Sequence, residues 1–483
     1  MSEDREKDHT RGDLQPGMHV HLVGIGGTGL SAVAQVLLGR GFRVSGSDRQ
    51  LNEMTSRLEK AGATIYEGHA PKQIDGADVL LVSSAIPAQN LEIQAARRAG
   101  IPVLKRNDFL ARLMEGSYGI AVAGTHGKTT TTGMIARILL DAGMDPTVIV
   151  GADLPALGSN GRAGHSDYFV VEADEYDYMF LGLRPDLAIV TNVEYDHPDL
   201  FTDRTAYTEA FVSFVERIQG DGHLVVCADD PGTSALAEQG RTRRLQVVTY
   251  GLNEGEWQAV DVRPNQLGGS DFLVQHDGKT VGLARLRVPG RHNVQNATAA
   301  VAAATILGVE FEPIRSALGA FGGLGRRFQV LGEAGDVIIV DDYAHHPTEI
   351  RATLAAARQR FSGRRIWVVW QPHTFSRTKA MLGEFAGSFA QADRLIVLDI
   401  YRSREQDTLG MDTAQVVDKI TGTRVDYVGN IEDAADYLLE RIMPGDVVIT
   451  LSAGDGNRVG ELLLRQLSQR HAVGNGITGK QAG

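Results

Sequence analysis

The segment Ala123–Thr132, A-G-T-H-G-K-T-T-T-T, constrains this chain more than any other. An apolar strand-like run, Ile120–Ala123, precedes it, and a helical pattern through Met134, Ile135, Ile138 and Leu139 follows. Strand, glycine turn, Lys-Thr and helix in that order make a phosphate-binding loop. Glycines let backbone N–H groups close on phosphate oxygens, and the helix points its positive end at the anion. Lys128 is placed to reach the outer phosphates and Thr129 to hold Mg²⁺. The spacing is unusual: Gly124 and Gly127 are separated by two residues, and Val122 stands where the common pattern has its first glycine. The plain alternative is a glycine-rich turn with an exposed lysine.

With 483 residues the chain has length for about three domains. Apolar strand-like runs alternate with helical patterns almost throughout, which predicts an α/β fold. Strands are expected at His19–Val23, Arg43–Ser45, Val79–Val82, Ile120–Ala123, Tyr168–Val171, Leu187–Val190, Leu224–Val226, Val337–Val340, Trp367–Val369, Leu395–Leu398 and Val447–Leu451. Breaks near Glu115–Tyr118 and in the glycine-rich Phe321–Arg327 suggest the divisions. The expected segments are 1–17, a disordered leader; 18–116; 117–322; 323–470; and 471–483, a loose tail. A hairpin addition is expected between Tyr250 and Pro289.

The net charge of -12 argues against general binding to nucleic acid or anionic membranes. The single cysteine, Cys227, excludes an intrachain disulfide and suits a reducing cytoplasm. No apolar run is long enough to span a membrane, and the polar N-terminus lacks the apolar region of a signal peptide.

Gly24-Ile-Gly26-Gly27-Thr-Gly29 follows a strand and opens a helix, with Asp48 at the end of the next strand. This is the dinucleotide fingerprint, which on its own suggests a nicotinamide cofactor. The physics demands only a diphosphate at a helix N-terminus, which a UDP-sugar also carries. His69 and Arg106 are further candidates for an anionic ligand, or ordinary surface residues; Lys105 is read as a solvated neighbour.

Downstream, Glu172 ends an apolar strand in V-V-E-A-D-E-Y-D, and T-N-V-E-Y-D-H-P-D follows a second strand. Acids at the carboxyl ends of parallel strands sit on the ligand edge of a sheet, and Mg²⁺ takes carboxylate oxygens. Glu172 is the first choice for such a metal, and the other acids of its segment read mostly as a solvated turn. His197 is a candidate for a water or a second metal, or a turn histidine. Asn293 and Asn296 lie on one face near a helix start, where amides bind an adenine edge or a phosphate, or cap the helix.

Taken in order, G-T-H-G-K-T-T, E-A-D-E, T-N-V-E-Y-D-H, G-R-H-N-V-Q-N-A, G-G-L-G-R-R-F, D-D-Y-A-H-H-P-T-E and Q-P-H-T-F-S-R-T resemble the Mur ligase family. The resemblance runs from about His19 to the helix after Asp455. It implies a Rossmann-like UDP-sugar domain, a central phosphate-loop ATPase domain with a mostly parallel sheet, and a C-terminal Rossmann-like domain for the amino acid. The implied activity is ATP-dependent amide formation through an acyl phosphate, in peptidoglycan precursor synthesis. The implied substrates are UDP-N-acetylmuramate and L-alanine, with Mg²⁺ or Mn²⁺, in a cytoplasmic monomer or weak homodimer.

By resemblance, Lys128, Glu172, His197 and Arg326 carry the catalysis, with Thr129, Glu172 and His197 on metal. Gly124, Thr125, His126, Gly127, Lys128, Thr129, Thr130, His292, Asn293, Asn296, Arg326 and Asp342 would surround ATP, Arg327 being the alternative to Arg326. Gly24, Gly26, Gly27, Gly29, Asp48, His69 and Arg106 would hold the UDP-sugar. Tyr343, His345 and Arg377 would hold the amino acid, Arg377 through its carboxylate. Of His345, His346 and His373, at least one is expected to be only a turn or helix-start residue. Sister ligases use a carbamoylated lysine; this chain has no lysine between Lys128 and Lys279, which suits the alanine-adding branch. Two rival readings stand: a recycling ligase that attaches a murein tripeptide, and a nicotinamide-dependent oxidoreductase built on Gly24–Asp48.

Overall fold

The computed structural model describes residues 14–478. The leader expected at 1–17 falls largely outside them. The C-terminal helix is Arg458–Thr478, and residues 479–483 of the expected tail lie outside the described part.

The fold is α/β with three sheets, mostly of parallel strands, as the alternating pattern predicts. The chain divides into two compact units. One comprises the residues up to Val193 with Thr208–Trp257 and Ala299–Ala317; the other comprises Glu194–Tyr207, Gln258–Thr298 and Leu318 onward. The expected middle segment, 117–322, thus contributes to both.

The first unit carries two parallel sheets. The first has five strands in the order Thr64–Glu67, Arg43–Asp48, His19–Val23, Val79–Val82, Val103–Lys105. The order reverses beside His19–Val23, and in such sheets ligands bind at that point, beyond the carboxyl ends of the strands. The glycine fingerprint occupies it, between His19–Val23 and the helix Thr28–Gly39. The second sheet runs Gln246–Gly251, His223–Cys227, Leu187–Val190, Tyr118–Ala123, Tyr168–Glu172, Thr147–Leu154, with Ser159–Arg162 antiparallel at the edge. Its central strands are apolar on both faces, which is what a sheet covered on both sides needs. Cys227 ends one of them; it is buried, and burial pushes its thiol up to about 12.

The second unit contains the hairpin Ser270–His276 with Lys279–Arg285, turning through Asp277-Gly278, both at positive φ. Its main sheet runs Gln329–Ala334, Val337–Asp342, Val447–Leu451, Ile366–Trp370, Arg394–Val397, Arg424–Tyr427; only the first pairing is antiparallel. Ile366, Val368 and Trp370 enter one core cluster while Trp367 and Val369 enter the other. That alternation buries both faces and directs the following segment, from Gln371, over the sheet's carboxyl edge.

Candidate active site

In the first unit the loop Gly124–Gly127 joins Tyr118–Ala123 to the helix Lys128–Asp141. Gly124 has φ +127, and a β-carbon there would collide with the Thr191 hydroxyl, so only glycine fits. The strand-end pair Thr191-Asn192 clamps the loop. Thr191 Oγ1 donates to the His126 carbonyl at 2.5 Å, Asn192 Nδ2 donates to it at 3.1 Å, and Asn192 Oδ1 accepts the His126 N–H at 2.9 Å. Thr125 N–H donates to the Asn192 carbonyl at 3.0 Å.

Lys128 Nζ lies 2.8 Å from Glu175 Oε2 and donates to the carbonyls of Gly124 and Thr125. Burial alone would push the ammonium down, but Glu175, Asp174 and Glu172 outweigh it and the pKa is raised. Thr129 Oγ1 donates to Glu172 Oε1 at 2.9 Å, and Gly151 N–H donates to Glu172 Oε2 at 2.6 Å. Two oxygen donors of the type Mg²⁺ prefers thus meet at the helix start. Thr130 is buried in the same first turn.

The glycine fingerprint is shaped by the next strand. Ser47 carbonyl accepts the N–H groups of Gly24 at 2.8 Å and Ile25 at 3.1 Å, and Asp48 Oδ2 accepts that of Gly26 at 2.9 Å. Asp48 therefore closes the loop. The helix that follows has Gly27 as its cap, with no side-chain cap bond and no acid in its first turn, a start suited to an anion. A β-carbon on Gly29 would strike the Arg106 guanidinium, so Arg106 lies directly against this helix start. Arg106 also reaches Asp174 Oδ2 at 2.9 Å.

In the second unit, Asp196 and Arg377 are both buried and paired at 2.7 Å. Burial would raise the Asp196 carboxyl, yet Arg377 and His197 hold it well below the usual range. The other guanidinium nitrogens face His373 Nδ1 at 3.1 Å and His197 Nδ1 at 3.4 Å. His197 itself has φ +54. His373 stacks on Tyr401 and also meets the ring of His345. His345 bonds the Tyr343 carbonyl at 3.0 Å, and burial pushes it down to about 4. His346 caps the helix Pro347–Arg360, its Nδ1 accepting the Thr348 N–H.

Tyr343 has two cations against its ring, Arg326 and Arg327 each 5.1 Å from the ring centre. Arg326 also bonds Asp341 at 3.1 Å and the Ser452 carbonyl at 2.6 Å. Asp342 accepts the N–H groups of Phe328 and Ala344, and burial pushes it up to about 6. Asn293 Nδ2 donates to the Pro289 carbonyl at 2.7 Å and Asn296 Nδ2 to Asn293 Oδ1 at 3.3 Å. Burial pushes His292, at the same helix start, down to about 4.

Three family models match in succession: "Mur ligase family, catalytic domain" over residues 19–118, "Mur ligase middle domain" over 122–304, and "Mur ligase, glutamate ligase domain" over 326–454. The chain belongs to the Mur ligase family. It is 46% identical over 469 residues to a UDP-N-acetylmuramate–L-alanine ligase of Solibacter usitatus, covering 96% of this chain and 98% of that one. It is 45% identical to a ligase of the same name from Desulfosudis oleivorans, covering 92% and 98%. Among solved structures it is similar to the UDP-N-acetylmuramate-alanine ligase of Thermotoga maritima, with TM-score 0.79, 29% identity and coverage of 94% and 100%. A murein peptide ligase from Psychrobacter arcticus gives TM-score 0.72 at 27% identity, covering 94% and 99%. Among the described residues no helix is long and apolar enough to cross a membrane.

For this Mur ligase one sequence expectation needs correcting. The acids after Glu172 are not mostly a solvated turn: Glu175 is buried against Lys128, and Asp174 pairs with Arg106. Only Asp177, paired with the exposed Lys105, fits that description in part. The structure brings Lys128, Thr129 and Glu172 together and groups His197 with Arg377 and His345 in the other unit. Asn192 and Asp196 were passed over because nothing in a lone sequence distinguishes a bracing strand-end polar group from a solvated one. Asn192 lies two residues past the apolar strand Leu187–Val190, and that position is the available signal; Asp196 lies six residues past it and carries none.

Proposed function

We propose that this chain is an ATP-dependent ligase that joins L-alanine to the carboxylate of UDP-N-acetylmuramate, releasing ADP and phosphate. The observation that carries this reading is the near full-length identity to relatives bearing that name. The phosphate loop supports the ATP part of it, and the uncapped glycine-loop helix beside Arg106 supports a diphosphate ligand. The oxidoreductase reading explains neither Lys128 nor the Asp196–Arg377 cluster, and Asp48, which would read a ribose in that case, is spent on Gly26.

In this reading the muramic carboxylate takes the γ-phosphoryl group to give an acyl phosphate. The amine of alanine then attacks the acyl carbon and phosphate leaves. Charge builds on oxygens in both steps, so preorganised cations supply most of the stabilisation. Lys128 is assigned to the γ-phosphate. Thr129 and Glu172 are the assigned holders of Mg²⁺, which when bound would neutralise phosphate charge, and His197 is assigned to a second metal. Tyr343 and His345 line the alanine site with Arg377 as the carboxylate clamp. Arg326 or Arg327 completes the phosphate contacts. The enzyme is placed in the cytoplasm, as a monomer or weak homodimer.

Phosphate release from ATP is expected to require both UDP-N-acetylmuramate and L-alanine. Glycine and L-serine should follow within ~1–3 kcal/mol in kcat/KM, because one small group in a pocket discriminates no better than that. The tripeptide L-Ala-γ-D-Glu-meso-diaminopimelate should be a poor acceptor. If it gave the highest kcat/KM, the enzyme would be the recycling ligase; phosphate release independent of any acceptor would defeat both.

A further inference from the structure

Beneath the glycine loop lies a buried polar group that the reaction scheme does not use. Glu92 has 0% exposure and sits in the first turn of the helix Leu91–Ala99, where the helix's positive end favours a carboxylate. Its Oε2 accepts from Ser47 Oγ at 2.6 Å and from His69 Nδ1 at 3.0 Å. Its Oε1 has no hydrogen-bond partner and lies 3.6 Å from His21 Nε2. Burial would raise this carboxyl, but His21, Ser47 and His69 outweigh it and hold it below the usual value. It is therefore ionised near neutrality and can only accept hydrogen bonds.

The hydrogens can be placed by elimination. Ser47 gives its hydrogen to Glu92, so toward His69 Nδ1, 3.0 Å away, Ser47 Oγ can only accept. Both neighbours of His69 Nδ1 are acceptors, so Nδ1 carries the hydrogen. In the neutral ring Nε2 is then a bare acceptor; the ring is 20% exposed, and Nε2 has no partner among the described residues. The carbonyl of the same Ser47 receives the Gly24 and Ile25 N–H groups, so one strand end shapes the loop and aims the histidine.

We propose that Glu92 is a positioning residue for the sugar nucleotide: with Ser47 it locks His69 as the Nδ1–H tautomer and presents Nε2 as an acceptor. This rests on the reading of His69 as a UDP-sugar contact. An acceptor nitrogen meets a donor, so the group it recognises is a hydroxyl, the uracil N–H or the acetamido N–H of the ligand, not its diphosphate.

Removing the carboxylate frees the Ser47 hydrogen to turn toward His69 Nδ1, which favours the opposite tautomer. In Glu92→Met, ¹⁵N NMR of the histidine rings should show His69 shifting to Nε2–H. The KM for UDP-N-acetylmuramate should rise about tenfold, the usual cost of one lost hydrogen bond, with kcat and the KM values for ATP and L-alanine unchanged. Glu92→Gln keeps an acceptor oxygen and should stay near wild type, which also covers the case of a poorly folding Met variant. His69→Ala should raise the same KM, and adding Glu92→Met to it should cost nothing more. If Glu92→Gln alone flips the tautomer, if Glu92→Met leaves it unchanged, or if the two losses multiply, Glu92 does not act through His69 and the proposal fails. If instead His69→Ala leaves the KM unchanged, the reading of His69 fails, while the tautomer measurement still decides how Glu92 holds the ring.

Discussion

Lys128→Ala is expected to lower kcat by at least ~10²-fold, the scale of losing one charged contact to the transferring phosphoryl group. The variant has a second effect that must be separated from the first. Lys128 is the buried cation facing Glu175, which has 1% side-chain exposure. Removing one partner of a buried pair costs about 3–5 kcal/mol because the remaining charge is stranded. A loss of turnover in Lys128→Ala alone could therefore be a loss of folded protein. The double variant Lys128→Met with Glu175→Gln removes both charges, and its thermal midpoint should return toward wild type while kcat stays low. Recovery of turnover along with stability would defeat the catalytic assignment of Lys128.

Arg377→Ala is expected to have the largest effect in the second unit, again for two reasons. It should raise the KM for L-alanine far more than that for ATP, since a desolvated guanidinium–carboxylate contact is among the stronger hydrogen-bonded pairs. It should also destabilise by about 3–5 kcal/mol, because Asp196 would keep a buried charge without its partner. The pH dependence follows from the direction of the Asp196 shift. A carboxyl held well below its ordinary value contributes stability that is present above the unfolded value, about 3.9. That stability is lost as pH falls toward the lower folded value. Asp196→Asn should therefore lower the melting temperature at neutral pH and flatten the acid limb of the stability profile. An unchanged acid limb would mean that Asp196 is not the charged partner of Arg377 in solution.

Much of the fold was legible in the sequence. His19–Val23, Val79–Val82, Leu187–Val190 and Val447–Leu451 are observed at the expected bounds, because central parallel strands are dominated by apolar residues, interrupted here only by His19, His21 and Thr450. Among the strands left unseen, Thr64–Glu67, Ser159–Arg162 and Arg424–Tyr427 are short edge elements with little apolar content to signal them, whereas Thr147–Leu154 carries the buried apolar run Val148–Val150 and was overlooked despite it. The site divides in the same way. Lys128, Thr129 and Glu172 could be named because a glycine turn and a strand-end acid fix their surroundings locally. Glu175, Asp196 and Glu92 could not, because each acquires its meaning from a partner far along the chain: Arg377 lies 181 residues from Asp196. Asp48 stands in the expected place, at the end of the strand after the glycine helix, and its side chain braces the loop by accepting the Gly26 N–H.

The burial of Cys227 has a practical consequence. Thiol reagents attack the thiolate, and a sulfhydryl pushed up to about 12 is almost wholly protonated at neutral pH as well as inaccessible. The native protein should therefore give no colour with Ellman's reagent, and full colour only after denaturation. Since this is the chain's single cysteine, the wild-type protein already serves as a silent background for labelling. One cysteine introduced at an exposed position, such as Leu91 or Met443, would take up a fluorophore alone. The native thiol would then serve as an internal reporter of global unfolding.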